Sequence, residues 1–187
     1  MITALLTVLL AATPIALPAD QPRPLRNIER ITDPRPQPRG ELLFRNAMLA
    51  VHNRARYDYG VAPLAWDKRL AADAGHYARV LARTGRFAHD PQAKRKPRQG
   101  ENLWMGTRNA FRYEKMVDLM VDERAQYRPG VFPDVSRTGR WWEVAHYTQL
   151  IWPTTRKFGC AMTSNRSDDF LVCRYLPAGN IVGILLR

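Results

Sequence analysis

Two short segments near the C-terminal end of this 187-residue chain constrain its fold more than any other feature. Lys157 to Thr163 and Phe170 to Tyr175 each alternate, and Asn165-Arg166-Ser167-Asp168 between them is a turn-forming tetrapeptide. A hairpin centred between Arg166 and Ser167 sets Phe158 opposite Tyr175, Cys160 opposite Cys173 and Met162 opposite Leu171. All six side chains then share one face, so this register buries a coherent apolar surface, and a register slipped by one residue does not. Directly opposed cysteines in such a hairpin lie within reach of a disulfide.

Upstream, the apolar spacing is helical. Leu43, Ala47, Ala50 and Val51 mark an amphipathic helix that starts near Glu41 and is stopped by Gly60. Asp67 caps a second helix carrying Leu70, Ala74, Tyr77, Ala78 and Leu81, which Gly85 ends, and Pro63-Leu64-Ala65-Trp66 plugs Trp66 into the junction. Gly100-Glu101-Asn102-Leu103-Trp104 reads as a turn rather than a regular element. Asn109 is placed to cap a third helix, which Pro129-Gly130 terminates. On that helix Met116, Met120, Glu123 and Tyr127 fall on one face, which puts a glutamate in an apolar stripe. Trp141 and Trp142 open a further helix on which His146, Gln149 and Leu150 share the apolar side. A short apolar segment, Ile181 to Leu186, follows the turn Pro177-Ala178-Gly179-Asn180.

The chain begins differently. Ile2 to Leu10 is an apolar run followed by small residues, which reads as a signal peptide over residues 1–19, although no Lys or Arg precedes it. It is too short to span a bilayer, and no other stretch is long and apolar enough. Residues 20–40 are rich in Pro and Arg and read as an extended basic linker, leaving 41–187 as the folded domain. Export to a secreted or periplasmic location suits two cysteines, which pair more readily as a structural disulfide there than as a redox couple. The formal net charge is +12, a balance that favours anionic lipid, polysaccharide or nucleic acid without choosing among them. No nucleic-acid module is present, which makes that partner unlikely for an exported chain. The basic loop Lys94-Arg95-Lys96-Pro97-Arg98 is a second candidate contact for an anionic ligand.

Four residues stand out chemically: His89, Glu101, Glu123 and His146, each beside apolar or aromatic neighbours. Two imidazoles and two carboxylates suit Zn²⁺ or a similar divalent cation if they converge. A hydrogen-bonded polar cluster that binds nothing would satisfy the same residues. His52 reads as a satisfied helix residue and His76 as solvated. No Gly-x-Ser-x-Gly is present, and neither Thr148 nor Ser136 has an evident base. Catalysis would therefore run through a metal-bound water with Glu101 or Glu123 as general base.

His146-Tyr147-Thr148-Gln149-Leu150-Ile151-Trp152 resembles the signature of the CAP superfamily, which includes cysteine-rich secretory proteins, insect venom antigens and plant pathogenesis-related proteins. Phe87-Ala88-His89, Gly100-Glu101-Asn102-Leu103, His52-Asn53-Arg54-Ala55-Arg56, Leu64-Ala65-Trp66-Asp67, Gly159-Cys160-Ala161 and Cys173-Arg174-Tyr175-Leu176-Pro177-Ala178-Gly179-Asn180 match further motifs, all in family order. The resemblance implies an α+β fold, an α-β-α sandwich with a small central antiparallel sheet between helical layers. It also implies that His89, Glu101, Glu123 and His146 form a tetrad in a central cleft supported by Asn102 and Gln149. Met120 stands where Trp is common in the family, Ala145 where Gly often precedes the second His, and most family disulfides are absent. The expected function is an exported protein whose tetrad binds a divalent metal, together with an unidentified extracellular ligand. A metal-dependent hydrolase and a lipid or sterol carrier are the alternatives.

Overall fold

The computed structural model describes residues 28–32, 34–91 and 97–187. The apolar run at the N-terminus and Lys94 to Lys96 of the basic loop lie outside the described residues. Helix α1 (Glu41–Tyr59) ends on Gly60 in the left-handed conformation. Helix α2 (Lys68–Thr84) is capped by the Asp67 carboxylate, which accepts from the amides of Arg69 and Leu70, and it ends on Gly85, also left-handed. Those amide bonds, that of Leu70 foremost, hold the Asp67 carboxyl below its ordinary value.

The expected hairpin is present in the expected register. Strands β5 (Lys157–Ser164) and β6 (Asp168–Leu176) pair antiparallel with Phe158 against Tyr175, Cys160 against Cys173 and Met162 against Leu171. The cysteines form a disulfide. The segment from Gly100, expected as a turn, is instead strand β3 (Gly100–Thr107), paired antiparallel along its whole length with β6. Leu103, Trp104 and Met105 are all buried, because helices cover both faces. A strand buried on two faces has no polar alternation to reveal it.

Two-residue edge strands complete the sheet. β1 (Ile28–Glu29) lies parallel to β3, and β2 (Ala65–Trp66) lies parallel to β5, giving the order β1-β3-β6-β5-β2. The central sheet is therefore mixed rather than wholly antiparallel. Residues 34–40 run along the domain: Gln37 donates to the Asn109 carbonyl at 2.9 Å, and Arg39 reaches Asp169 at 3.1 Å.

One face of the sheet, carrying Trp104, Phe158, Leu171 and Tyr175, packs on α1 and on α3 (Tyr113–Val121). The other face, carrying Leu103, Met105, Phe170 and Val172, packs on α2. Contact with α2 is close at Gly159, where an added Cβ would overlap the backbone of Asp67 and Ala71. The third helix departs from expectation at both ends. Asn109 is not its cap but a turn residue at φ 60°, whose amide donates to Asp169. The α-helix stops at Val121 and continues as a 3₁₀ segment, Asp122–Gln126, so Glu123 sits beyond the apolar stripe. Likewise Trp141–Glu143 is a separate 3₁₀ turn, and α4 is only Ala145–Leu150. A third apolar cluster joins α4 to a two-stranded ribbon of β4 (Gly130–Val131) and β7 (Leu185–Leu186).

Candidate functional site

The four singled-out residues come together two by two. Glu101, on β3, accepts from His89 Nδ1 at 2.6 Å and from the Asp90 amide at 3.1 Å. Its other oxygen lies 2.9 Å from Nη2 of Arg174, the residue opposite it on β6. Arg174 is fully buried and also bonds Asp90 at 2.7 Å, so this cation sits between two carboxylates. The ring of Tyr77 covers its guanidinium, and the Tyr77 hydroxyl donates to the Ala88 carbonyl. Burial, and after it the charges of Glu101 and Asp90, push that phenol up to about 12.

Glu123 makes the matching pair. Its Oε1 accepts from His146 Nδ1 at 2.6 Å, and its Oε2 accepts from the amides of His146 and Tyr147 at 3.0 and 3.1 Å. One carboxylate thus orients the imidazole and satisfies two amides in the first turn of α4. In both pairs the bond at Nδ1 fixes the ring and leaves Nε2 with no hydrogen-bond partner among the described residues. No three of His89, Glu101, Glu123 and His146 bring ligand atoms within 4.8 Å of one another. The single compact group of that kind among the described residues is His52 with Cys160 and Cys173. Those cysteines are joined in the disulfide, so they offer no thiolate to a metal.

The supporting residues bridge the pairs to the sheet. Asn102, next to Glu101 on β3, projects from the opposite face; its amide donates to the His146 carbonyl at 3.1 Å and to the Tyr175 hydroxyl at 3.4 Å. Behind Tyr175 lies His52, fully buried, with Nε2 2.8 Å from the hydroxyl and Nδ1 2.7 Å from the Met48 carbonyl. A carbonyl only accepts, so Nδ1 carries the proton and Nε2 accepts from the phenol. Gln149 is buried, with Oε1 taking the Gly179 amide at 2.9 Å. It lies so tightly on β3 that a Cβ at Gly100 would overlap its Oε1, which is a steric reason for glycine before Glu101. His146 itself is at the rim, its side chain 13% exposed, rather than in the interior with Gln149 and Leu150. His76 is exposed, as its sequence context suggested.

Sequence reasoning gave no role to Arg174, although a signal for it exists. Phe170, Val172 and Arg174 alternate on the face opposite the cysteines, and a cation at a core-facing strand position requires carboxylate partners.

Comparison with known proteins agrees with this architecture. The family model "CAP: Cysteine-rich secretory protein family" matches residues 49–175. Pathogenesis-related protein 1C of Nicotiana tabacum is 34% identical over 136 residues, covering 72% of this chain and 76% of its own. Golgi-associated plant pathogenesis-related protein 1 of Homo sapiens is 34% identical over 143 residues, covering 74% of this chain and 86% of its own. Among solved structures, NaASP2 with Zn²⁺ superposes with a TM-score of 0.64 at 23% identity, over 78% of this chain and 85% of that one.

Proposed function

The chain belongs to the cysteine-rich secretory protein (CAP) family, and from that premise we propose that it is an exported protein binding a divalent cation, Zn²⁺ first, through Nε2 of His89 and His146. The observation that carries the reading is the pairing of each imidazole Nδ1 with a carboxylate at 2.6 Å. Carboxylate–imidazole pairs of this kind fix the tautomer and raise the basicity of the other nitrogen toward a metal. The donor chemistry suits a borderline cation, and water or an extracellular ligand would complete its coordination. Glu101 and Glu123 act behind the imidazoles as orienting residues rather than as ligands. NaASP2, solved with Zn²⁺ and alike in fold, adds support.

Export to an oxidising compartment is supported by the disulfide and by the apolar run Ile2 to Leu10. No described helix is long and apolar enough to cross a membrane. We further propose a signal peptide over 1–19 and a CAP domain over 41–187, joined by a basic segment over 20–40 that adds strand β1 to the domain's sheet. A hydrolase reading requires Glu101 or Glu123 to take a proton from water. Both carboxylates already accept from an imidazole and from backbone amides, and Glu101 is also ion-paired with Arg174, an arrangement suited to orienting the rings. The binding reading therefore stands first.

Calorimetric titration of Zn²⁺ into the protein tests it. Binding at micromolar or tighter concentration is expected, abolished by His89→Ala and by His146→Ala. Glu123→Gln is expected to weaken it about 10–100-fold. Failure of the wild-type protein to bind Zn²⁺ would leave the two pairs as structural polar clusters.

A further inference from the structure

The ribbon formed by β4 and β7 carries an apolar surface that the metal reading does not use. Val131 and Leu185 are directly opposed in its ladder and are 49% and 45% exposed. Ile181, Val182 and Ile184, in the segment that leads into β7, are also 40–48% exposed. The ribbon's inner positions, Phe132 and Leu186, are buried against Val135 and Trp152. Side chains alternate across a strand, so the outward positions here are those where a soluble ribbon carries polar residues. These aliphatics are also held in place: the Phe132 amide donates to the Ile184 carbonyl, and the Gly183 amide to the Phe132 carbonyl, each at 2.9 Å. Ordering them again on contact with a partner costs little.

We propose that this outward face is an interfacial docking surface for anionic lipid bilayers. The aliphatic side chains enter the headgroup region, while the basic chain is held by acidic lipid. Charge selects this occupant. A second copy would bring two chains of formal charge +12 together, whereas an anionic surface is their complement. Arg187 directly follows Leu186 and is exposed, and Arg137, on the loop leaving β4, is exposed too. The acidic residue of that loop, Asp134, is already paired with Arg128. The surface is distinct from the His–Glu pairs and does not rest on the metal reading.

Co-sedimentation of the full chain with vesicles is the test, using phosphatidylcholine alone and phosphatidylcholine containing about one third phosphatidylserine. Binding to the serine-lipid vesicles that falls with added salt is expected. It should weaken about tenfold or more in Val131→Ser/Leu185→Ser, and measurably in Ile181→Ser, with near-ultraviolet circular dichroism unchanged. Equal binding to both vesicle types would overturn the role of anionic lipid. Undiminished binding in folded variants would overturn the role of the ribbon and place the contact elsewhere, for instance in Ile2 to Leu10. Absence of vesicle binding, with self-association abolished by the same substitutions, would assign the face to a second copy and refute the proposal.

Discussion

Acid should destabilise this protein through His52 in a way that can be separated from every other titrating group. The imidazole is fully buried, stacked at 4.3 Å on Phe158, with its donor and acceptor both used by neutral-state partners. A proton on Nε2 would set a donor against the Tyr175 hydroxyl, whose own proton already points there. Burial foremost, with the Arg56 charge adding to it, brings the His52 pKa down from 6.5 to about 4, against a raising contribution from the Met48 carbonyl. Above pH 6.5 both folded and unfolded chains keep this group neutral, and its contribution to stability is fully present. As pH falls from 6.5 towards 4 the unfolded chain takes up a proton that the folded one refuses, so stability is lost across that window. Each pKa unit is worth about 1.4 kcal/mol, so the full loss is about 3 kcal/mol. Urea unfolding of wild type and His52→Gln at matched pH values measures it, since all other groups titrate in both proteins. The variant is expected to start less stable, and the gap should narrow by about 3 kcal/mol between pH 7 and pH 4. Curves that stay parallel would refute the argument that burial holds His52 neutral.

Two further perturbations probe how the site is held. Arg56 is fully buried, and its guanidinium donates to the carbonyls of Ala62, Leu150, Trp152 and Thr155, tying α1 to the segment after α4. Arg56→Ala strands these acceptors and should cost about 3 kcal/mol or more in denaturant unfolding, with Arg56→Lys restoring only part because one ammonium cannot reach all four. A loss below about 1 kcal/mol would show that water replaces the guanidinium. Gly159→Ala places a methyl into the backbone of Asp67 and Ala71, so α2 must lift from β5; about 1–3 kcal/mol of destabilisation is expected, and an unchanged Tm would contradict the close packing.

Much of the scaffold was legible because its signals are local. The hairpin register followed from a period of two and a symmetric pair of cysteines, and Asp67, Gly60 and Gly85 bound their helices by cap chemistry alone. Strand β3 was hidden by its own burial, and the glycines, Asn102 and the missing alternation imitate a turn. The third helix was drawn too long because a 3.6-residue stripe does not register a change to 3₁₀ winding at Asp122. The site residues were identifiable by type and by family resemblance, but their pairing was not. His89 meets Glu101 across 12 positions and His146 meets Glu123 across 23, with no shared helix or strand to predict either contact.

That pairing changes what the two glutamates are for. Glu123 accepts from two amides of α4 as well as from the imidazole that α4 carries, and Glu101 accepts from the Asp90 amide as well as from His89 beside it. Each carboxylate therefore fixes a ring and the backbone that bears it in one rigid unit. Asn102 extends this constraint, since it holds the His146 carbonyl and shares the Tyr175 hydroxyl with His52. A buried network thus runs from α1 through the sheet to the second imidazole. On the proposed metal-binding reading, imidazoles set this firmly would meet a cation without losing rotamer freedom, which is the physical content of preorganisation. On that reading both carboxylates serve to orient the rings.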